Sequence, residues 1–141
     1  MKERVNKELI LRKIGDIEEE LKKIKNIKDI TIDEFLSDED RVDALKFRLL
    51  KIIEASIGIC SHVVVKLFGI IPESYSECFK ILGDKKIIDK ELSNKLVKMA
   101  KFRNLLIHMY YKVDDREVYK IIKENLSDIE MFVKEIEEKF L

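Results

Sequence analysis

Residues 103 to 110 read Arg103-Asn104-Leu105-Leu106-Ile107-His108-Met109-Tyr110, which puts a guanidinium, an amide, an imidazole and a phenol inside one short stretch. Arginine is a permanent cation whose planar fork matches phosphate oxygens, and histidine both takes and gives a proton near neutral pH. Together Arg103 and His108 suit phosphodiester cleavage with no metal ion. Asn104 supplies an amide that can orient a neighbour, and Tyr110 a phenol that both donates and accepts hydrogen bonds.

These side chains must be positioned by a helix. Leu92, Leu96, Met99, Arg103, Leu106 and Tyr110 follow one another at spacings of four and three, the pattern of one helical stripe. Arg103 and Tyr110 thus stand where packing alone would place leucine, and polar groups there need partners or a purpose. In a regular helix Arg103 and His108, five residues apart, point about 140° away from each other. Two arrangements let them act on one phosphate: the last helical turn unwinds before the cap at Asp114, or two copies of the motif meet across a two-fold axis. Asn104 and His108 are four apart and share a face, so the amide could hold the imidazole in one orientation. A structural role accounts for the same residues: His108 bonded at a helix end, Arg103 paired with a glutamate on a neighbouring helix, and Tyr110 with Tyr111 as core and rim aromatics. Spacing leaves both open.

The rest of the chain has the pattern of a helical scaffold. One proline and four glycines leave little to break helices, and apolar residues recur every three or four positions almost throughout. A first helix is expected over about residues 2–28, with Val5, Leu9, Ile14, Ile17, Leu21 and Ile24 on one stripe. Thr31 and Glu34 have capping-box spacing and open a short turn. A long second helix runs from the Ser37-Asp38-Glu39-Asp40 cap to about Gly69, and a short one follows Ser74 and carries Tyr75, Phe79 and Leu82. The motif helix starts at Asp89, and a last helix runs from Asp114 or Asp115 to Phe140. The fold class is all-α, an up-and-down bundle of about five helices forming a single domain over residues 1–141.

Composition narrows the function classes. The 28 basic and 28 acidic residues cancel, so no global field draws the chain to nucleic acid or membrane. Locally, residues 80–113 carry nine Lys/Arg against three Asp/Glu, and residues 114–141 carry five against nine. Cys60 and Cys78 lack metal-site or disulfide-framework spacing. The apolar stretch Ala55–Ile71 is interrupted by Ser56, Ser61, His62 and Lys66, and the Met1-Lys2-Glu3-Arg4-Val5 start is charged, so neither a membrane span nor a signal peptide is expected, and the location is cytoplasmic. Glu54 reads as a helix-surface glutamate with the option of orienting Arg103, and His62 as a packed or surface histidine.

The run Arg103-Asn104-x-x-x-His108-x-Tyr110, preceded by Met99-Ala100-Lys101-Phe102 and followed by Val113-Asp114, resembles the Arg-x4-6-His motif of the HEPN superfamily in its HepT-like form. Arg48 to His62 with Glu54-Ala55, and Pro72-Glu73-Ser74-Tyr75 with Phe79 and Leu82, resemble that family's second helix and middle turn. The resemblance implies a four-helix core, a homodimer whose two motifs line one cleft, and a ribonuclease toxin paired with a minimal nucleotidyltransferase antitoxin. By position it makes Arg103 and His108 catalytic, Asn104 supporting, and Tyr110 the tyrosine that the partner modifies with AMP. No metal or other cofactor is implied, and the substrate is an RNA, either transfer or messenger. Lys95, Lys98, Lys101 and Lys112 in the basic segment would then supply an RNA track. The competing class is a catalytically inert helical partner that binds a nucleotidyltransferase, and loss of toxicity in His108→Ala discriminates the two.

Overall fold

The computed structural model describes residues 2–27 and 29–141. Lys28, the expected end of the first helix, lies outside them, as does Met1. Seven α-helices account for most of the described chain: α1 (Lys7–Lys25), α2 (Ile32–Leu36), α3 (Glu39–Phe68), α4 (Tyr75–Asp84), α5 (Lys90–His108), α6 (Asp115–Glu124) and α7 (Leu126–Phe140). No strand occurs among the described residues, so the all-α expectation holds.

Two boundaries differ from the sequence reading. The first helix starts at Lys7, because Asn6 adopts an extended backbone and its side chain accepts the Leu9 N–H, the geometry of an N-cap. Residues Lys2–Arg4 form a separate 3₁₀ turn. The expected last helix is two, divided at Asn125, whose N–H caps the Ile121 carbonyl and whose side-chain amide donates to Asp128. That break lets one amphipathic sequence serve two surfaces. Val118 and Ile122 of α6 face α2 and α3, while Ile129, Phe132 and Ile136 of α7 face α5 and α1.

Caps fix the remaining starts. Thr31, Asp38, Ser74, Asp89 and Asp114 each accept a backbone N–H of the first turn they precede, satisfying donors that a helix start leaves unpaired. Gly69, at φ 64°, closes α3 in the left-handed conformation that glycine adopts without strain. Helix α3, 30 residues long, spans about 45 Å and is the spine on which α1, α4, α5 and α6 pack.

The core holds Ile10, Ile17, Leu49, Ile59, Phe79, Leu82, Leu96 and Phe132, all essentially excluded from solvent. Each such side chain contributes about 1.5–3 kcal/mol on burial. Phe79 of α4 meets Phe132 of α7 edge-on at 5.8 Å between ring centres. Helix α4 lies unusually close to α5: a Cβ on Gly83 would overlap Ser93, whose hydroxyl donates to the Phe79 carbonyl at 2.8 Å. Glycine is required there by contact and not by backbone angle. Among the buried charged groups is Glu20 of α1, bonded by Lys51 at 2.9 Å and Arg48 at 3.1 Å. Burial pushes its carboxyl up, but those hydrogen bonds outweigh it and leave it below the ordinary value. No described helix is long and apolar enough to cross a membrane.

Candidate active site

Helix α5 stays helical through His108, its last residue, so the final turn does not unwind ahead of the histidine. The divergence of Arg103 and His108 is resolved otherwise. Asn104 shares a face with His108, and Arg103 reaches round the helix so that its Nη1 donates to Asn104 Oδ1 at 3.1 Å. The length of the arginine side chain brings its charge to the histidine's side. Arg103, Asn104 and His108 consequently line one open cleft of about 470 Å³, whose other walls include Ser61 of α3 and Tyr75 and Cys78 of α4.

Arg103 is held on three sides. Its Nε–H donates to Glu54 Oε1 of α3 at 2.5 Å, its guanidinium lies 4.8 Å from the centre of the Tyr75 ring, and Asn104 takes Nη1. The charge-assisted bond and the cation–π contact leave it a side chain only 15% exposed, at the cleft wall. The bonds to Glu54 and Asn104 use two of the guanidinium's five donors. Asn104 therefore supports the arginine, with its amide oxygen engaged by Nη1. His108 is exposed at the rim.

Glu54 and Tyr75 join the site through their contacts with Arg103, beyond the residues of the motif itself. Glu54 carried a signal: it is the one Asp, Glu, Lys or Arg between Lys51 and Lys66, in the most apolar part of α3. Tyr75 carried none, since its partner lies 28 positions further along the chain.

Tyr110 does not continue the stripe of α5. Met109 turns the chain at φ −139°, and Tyr110–Lys112 form a 3₁₀ turn. The phenol, 42% exposed, donates to Asp43 Oδ1 of α3 at 2.7 Å. Lys46 Nζ stands 4.4 Å from the ring centre and 2.6 Å from Asp115. Burial, the bond to Asp43 and the negative charges of Asp43 and Asp115 push the phenol up to about 12. Asp43 and Glu54 are eleven residues apart on α3, which places them on one face about 16 Å apart along the axis. The two polar centres are thus neighbours on a single helix face.

The four lysines are not one track. Lys95 and Lys98 line a different cleft, between α5 and the α6–α7 bend, with Glu117 and Asp128, and Lys95 lies 3.7 Å from Asp128. Lys95 is about 180° round α5 from Asn104. Lys101, exposed, is within about 20° of His108. Lys112 is exposed beside the Tyr111 ring.

Two other groups resolve as structural. His62 Nε2 accepts the backbone N–H of Asn6 at 2.8 Å and so ties α3 to the start of α1; burial, then the Lys66 charge, lower its pKa. The buried thiols of Cys60 and Cys78 are adjacent at 2.8 Å, with Cys60 pushed up by burial.

Known proteins share the sequence pattern and the fold of this chain. The family model described as "Ribonuclease HepT-like" matches residues 17–136. The "mRNA nuclease HepT" of Shewanella oneidensis is 28% identical over 126 residues, 89% of this chain and 94% of that protein. The "tRNA nuclease HepT" of Aphanizomenon flos-aquae is 31% identical over 127 residues, 89% of this chain and 84% of that protein. The structure of a tri-AMPylated Shewanella oneidensis HEPN toxin in complex with its MNT antitoxin superposes with a TM-score of 0.85 at 28% identity, over 92% of this chain and 97% of that one.

Proposed function

The chain belongs to the ribonuclease HepT-like family, and from that premise we propose that it is the RNA-cleaving toxin of a toxin–antitoxin pair, acting without a metal ion through Arg103 and His108. The observation that carries this reading is the cleft itself: a guanidinium clamped by Glu54, Asn104 and Tyr75 shares an open wall with an exposed imidazole.

In this reaction the ribose 2′-hydroxyl attacks the adjacent phosphorus, negative charge builds on the equatorial oxygens, and the 5′-oxygen leaves. His108 moves a proton. Arg103 holds the phosphate, and Glu54 and Tyr75 keep its position when substrate binds, so that the cation is organised before charge develops. The products are a 2′,3′-cyclic phosphate and a 5′-hydroxyl, and DNA, lacking the 2′-hydroxyl, is not cut.

The partner is a nucleotidyltransferase that inactivates the toxin by adding AMP to Tyr110. Because the phenol sits at Asp43, the added group starts about 16 Å along α3 from the Arg103 clamp. It places a bulky anion on the same face, where it repels RNA approaching the cleft. Two copies of the chain pair with their motifs facing one cleft. Exposed Leu105, Ile107 and Tyr111, beside the motif, are apolar surface that such pairing covers.

The Arg103–Glu54 bond also suits the inert-partner reading, since a purely structural arginine makes the same bond. Expression in cells discriminates. Wild-type chain is expected to arrest growth, His108→Ala to be harmless, and co-expression of the nucleotidyltransferase to rescue growth with Tyr110 carrying AMP by mass spectrometry. Growth arrest that survives His108→Ala contradicts the nuclease reading.

A further inference from the structure

We propose that Asp43, 67 residues upstream of the tyrosine, is the proton acceptor that activates Tyr110 for adenylylation, so that this chain supplies part of the chemistry of its own inactivation. This rests on the reading that Tyr110 takes AMP, and goes beyond it by giving the toxin, and not only the transferase, a residue at the reacting atom.

The geometry is that of a nucleophile and its base. The Tyr110 hydroxyl donates to Asp43 Oδ1 at 2.7 Å, within the range required for proton transfer. Asp43 is exposed, so a proton it receives passes on to water. The phenol does not ionise by itself: its surroundings push it up to about 12, which leaves almost no phenolate at neutral pH. A transferase that only presents ATP would meet a protonated, weak nucleophile. The charged groups facing the ring are Asp43 and Lys46 from α3 and Asp115 at the start of α6. Lys46, buried and fixed by Asp115, places a cation 4.4 Å from the ring centre. That charge favours the electron density that grows on the phenol as its proton departs.

Tyr110 Oη bonds to the α-phosphorus of ATP as the bond from that phosphorus to the oxygen bridging to the β-phosphorus breaks. Pyrophosphate leaves with the electron pair, and the phenolic proton passes to Asp43. The product is a phosphodiester of tyrosine and adenosine.

The test is the rate of AMP incorporation into the full chain by the cognate nucleotidyltransferase with ATP, read by intact mass and peptide mapping across pH 6.5–9. Wild type is expected to show a nearly flat profile, because a proton acceptor held at the phenol spares the reaction from needing hydroxide. Asp43→Asn keeps a hydrogen-bonding group at an exposed position but accepts no proton. It should be about a hundredfold slower at neutral pH, rising about tenfold per pH unit as hydroxide takes over the base's task, and Asp43→Glu should recover part of the loss. Circular dichroism melting establishes that the variants are folded. Asp43→Asn modified at the wild-type rate, or slowed equally at every pH, overturns the proton-accepting role. Wild type that gains no AMP, or gains it at a residue other than Tyr110, overturns the underlying reading instead, and the mass of the wild-type product separates the two failures.

Discussion

Glu54 of α3 and Arg103 of α5 are joined by a 2.5 Å hydrogen bond from Nε to Oε1, and this bond sets where the cleft's fixed cation stands. A carboxylate 42% exposed gains little stability from an ion pair. Its effect is therefore expected in position. Glu54→Gln should lower the rate of RNA cleavage by about ten- to a hundredfold while the melting temperature stays nearly unchanged. Unaltered cleavage would show that Asn104 and Tyr75 alone suffice to hold the guanidinium.

The α4–α5 contact gives a second expectation. Gly83→Ala forces its new methyl into Ser93, and overpacking of this kind costs about 1–3 kcal/mol. Urea denaturation should register that loss. Because α4 also carries Tyr75, the same variant should lose cleavage beyond what its unfolded fraction explains. A Gly83→Ala chain as stable as wild type contradicts the tight contact.

His62 links pH to stability. Its Nε2 accepts the Asn6 N–H, which only the neutral ring can do, and its pKa in the folded chain is lowered by burial and by Lys66 from the ordinary 6.5. The unfolded chain therefore binds this proton more readily. The contribution of His62 is fully present above about pH 6.5 and is lost as pH falls below it. Chemical denaturation of wild type and His62→Ala at pH 5.5 and 7.5 should give a stability difference that is larger at pH 7.5. An equal difference at both pH values contradicts the neutral-acceptor role.

The lysines should separate into two classes. Lys101 lies on the His108 side of α5, whereas Lys95 is on the opposite side near Asp128. Lys101→Gln is expected to weaken RNA binding and reduce its salt dependence by close to one phosphate contact, and Lys95→Gln to change neither. Fluorescence anisotropy with a labelled single-stranded RNA across a salt series reads both.

Much of this was legible in the sequence, for definite reasons. Helix starts were readable at Thr31, Asp38, Ser74, Asp89 and Asp114 because capping is local chemistry. The start of α1 rests on equally local chemistry, the Asn6 side chain accepting the Leu9 N–H, but Val5 extends the apolar stripe ahead of that cap and hides it. The break at Asn125 was hidden because Val118 to Phe140 keeps helical periodicity across it, and only the surfaces offered by α2–α3 and α1–α5 require the turn. At the site, Arg103, Asn104 and His108 were legible as a motif, and their convergence was not: a divergence of about 140° at the helix axis does not bind the end of a long side chain, and Arg103 bends round to Asn104. Glu54, Tyr75 and Asp43 act through tertiary contacts whose partners are 49, 28 and 67 residues away in the chain. No spacing rule within one helix reaches them.

Cleavage of total cellular RNA by purified, unmodified protein in the presence of EDTA, with the product ends mapped for wild type and His108→Ala, decides whether Arg103 and His108 form a metal-independent nuclease. Fragments ending in 2′,3′-cyclic phosphate and beginning with 5′-hydroxyl, present for wild type and absent for His108→Ala, are the expected result. Intact RNA after incubation with protein whose Tyr110 is free, or cleavage that persists in His108→Ala, would contradict it.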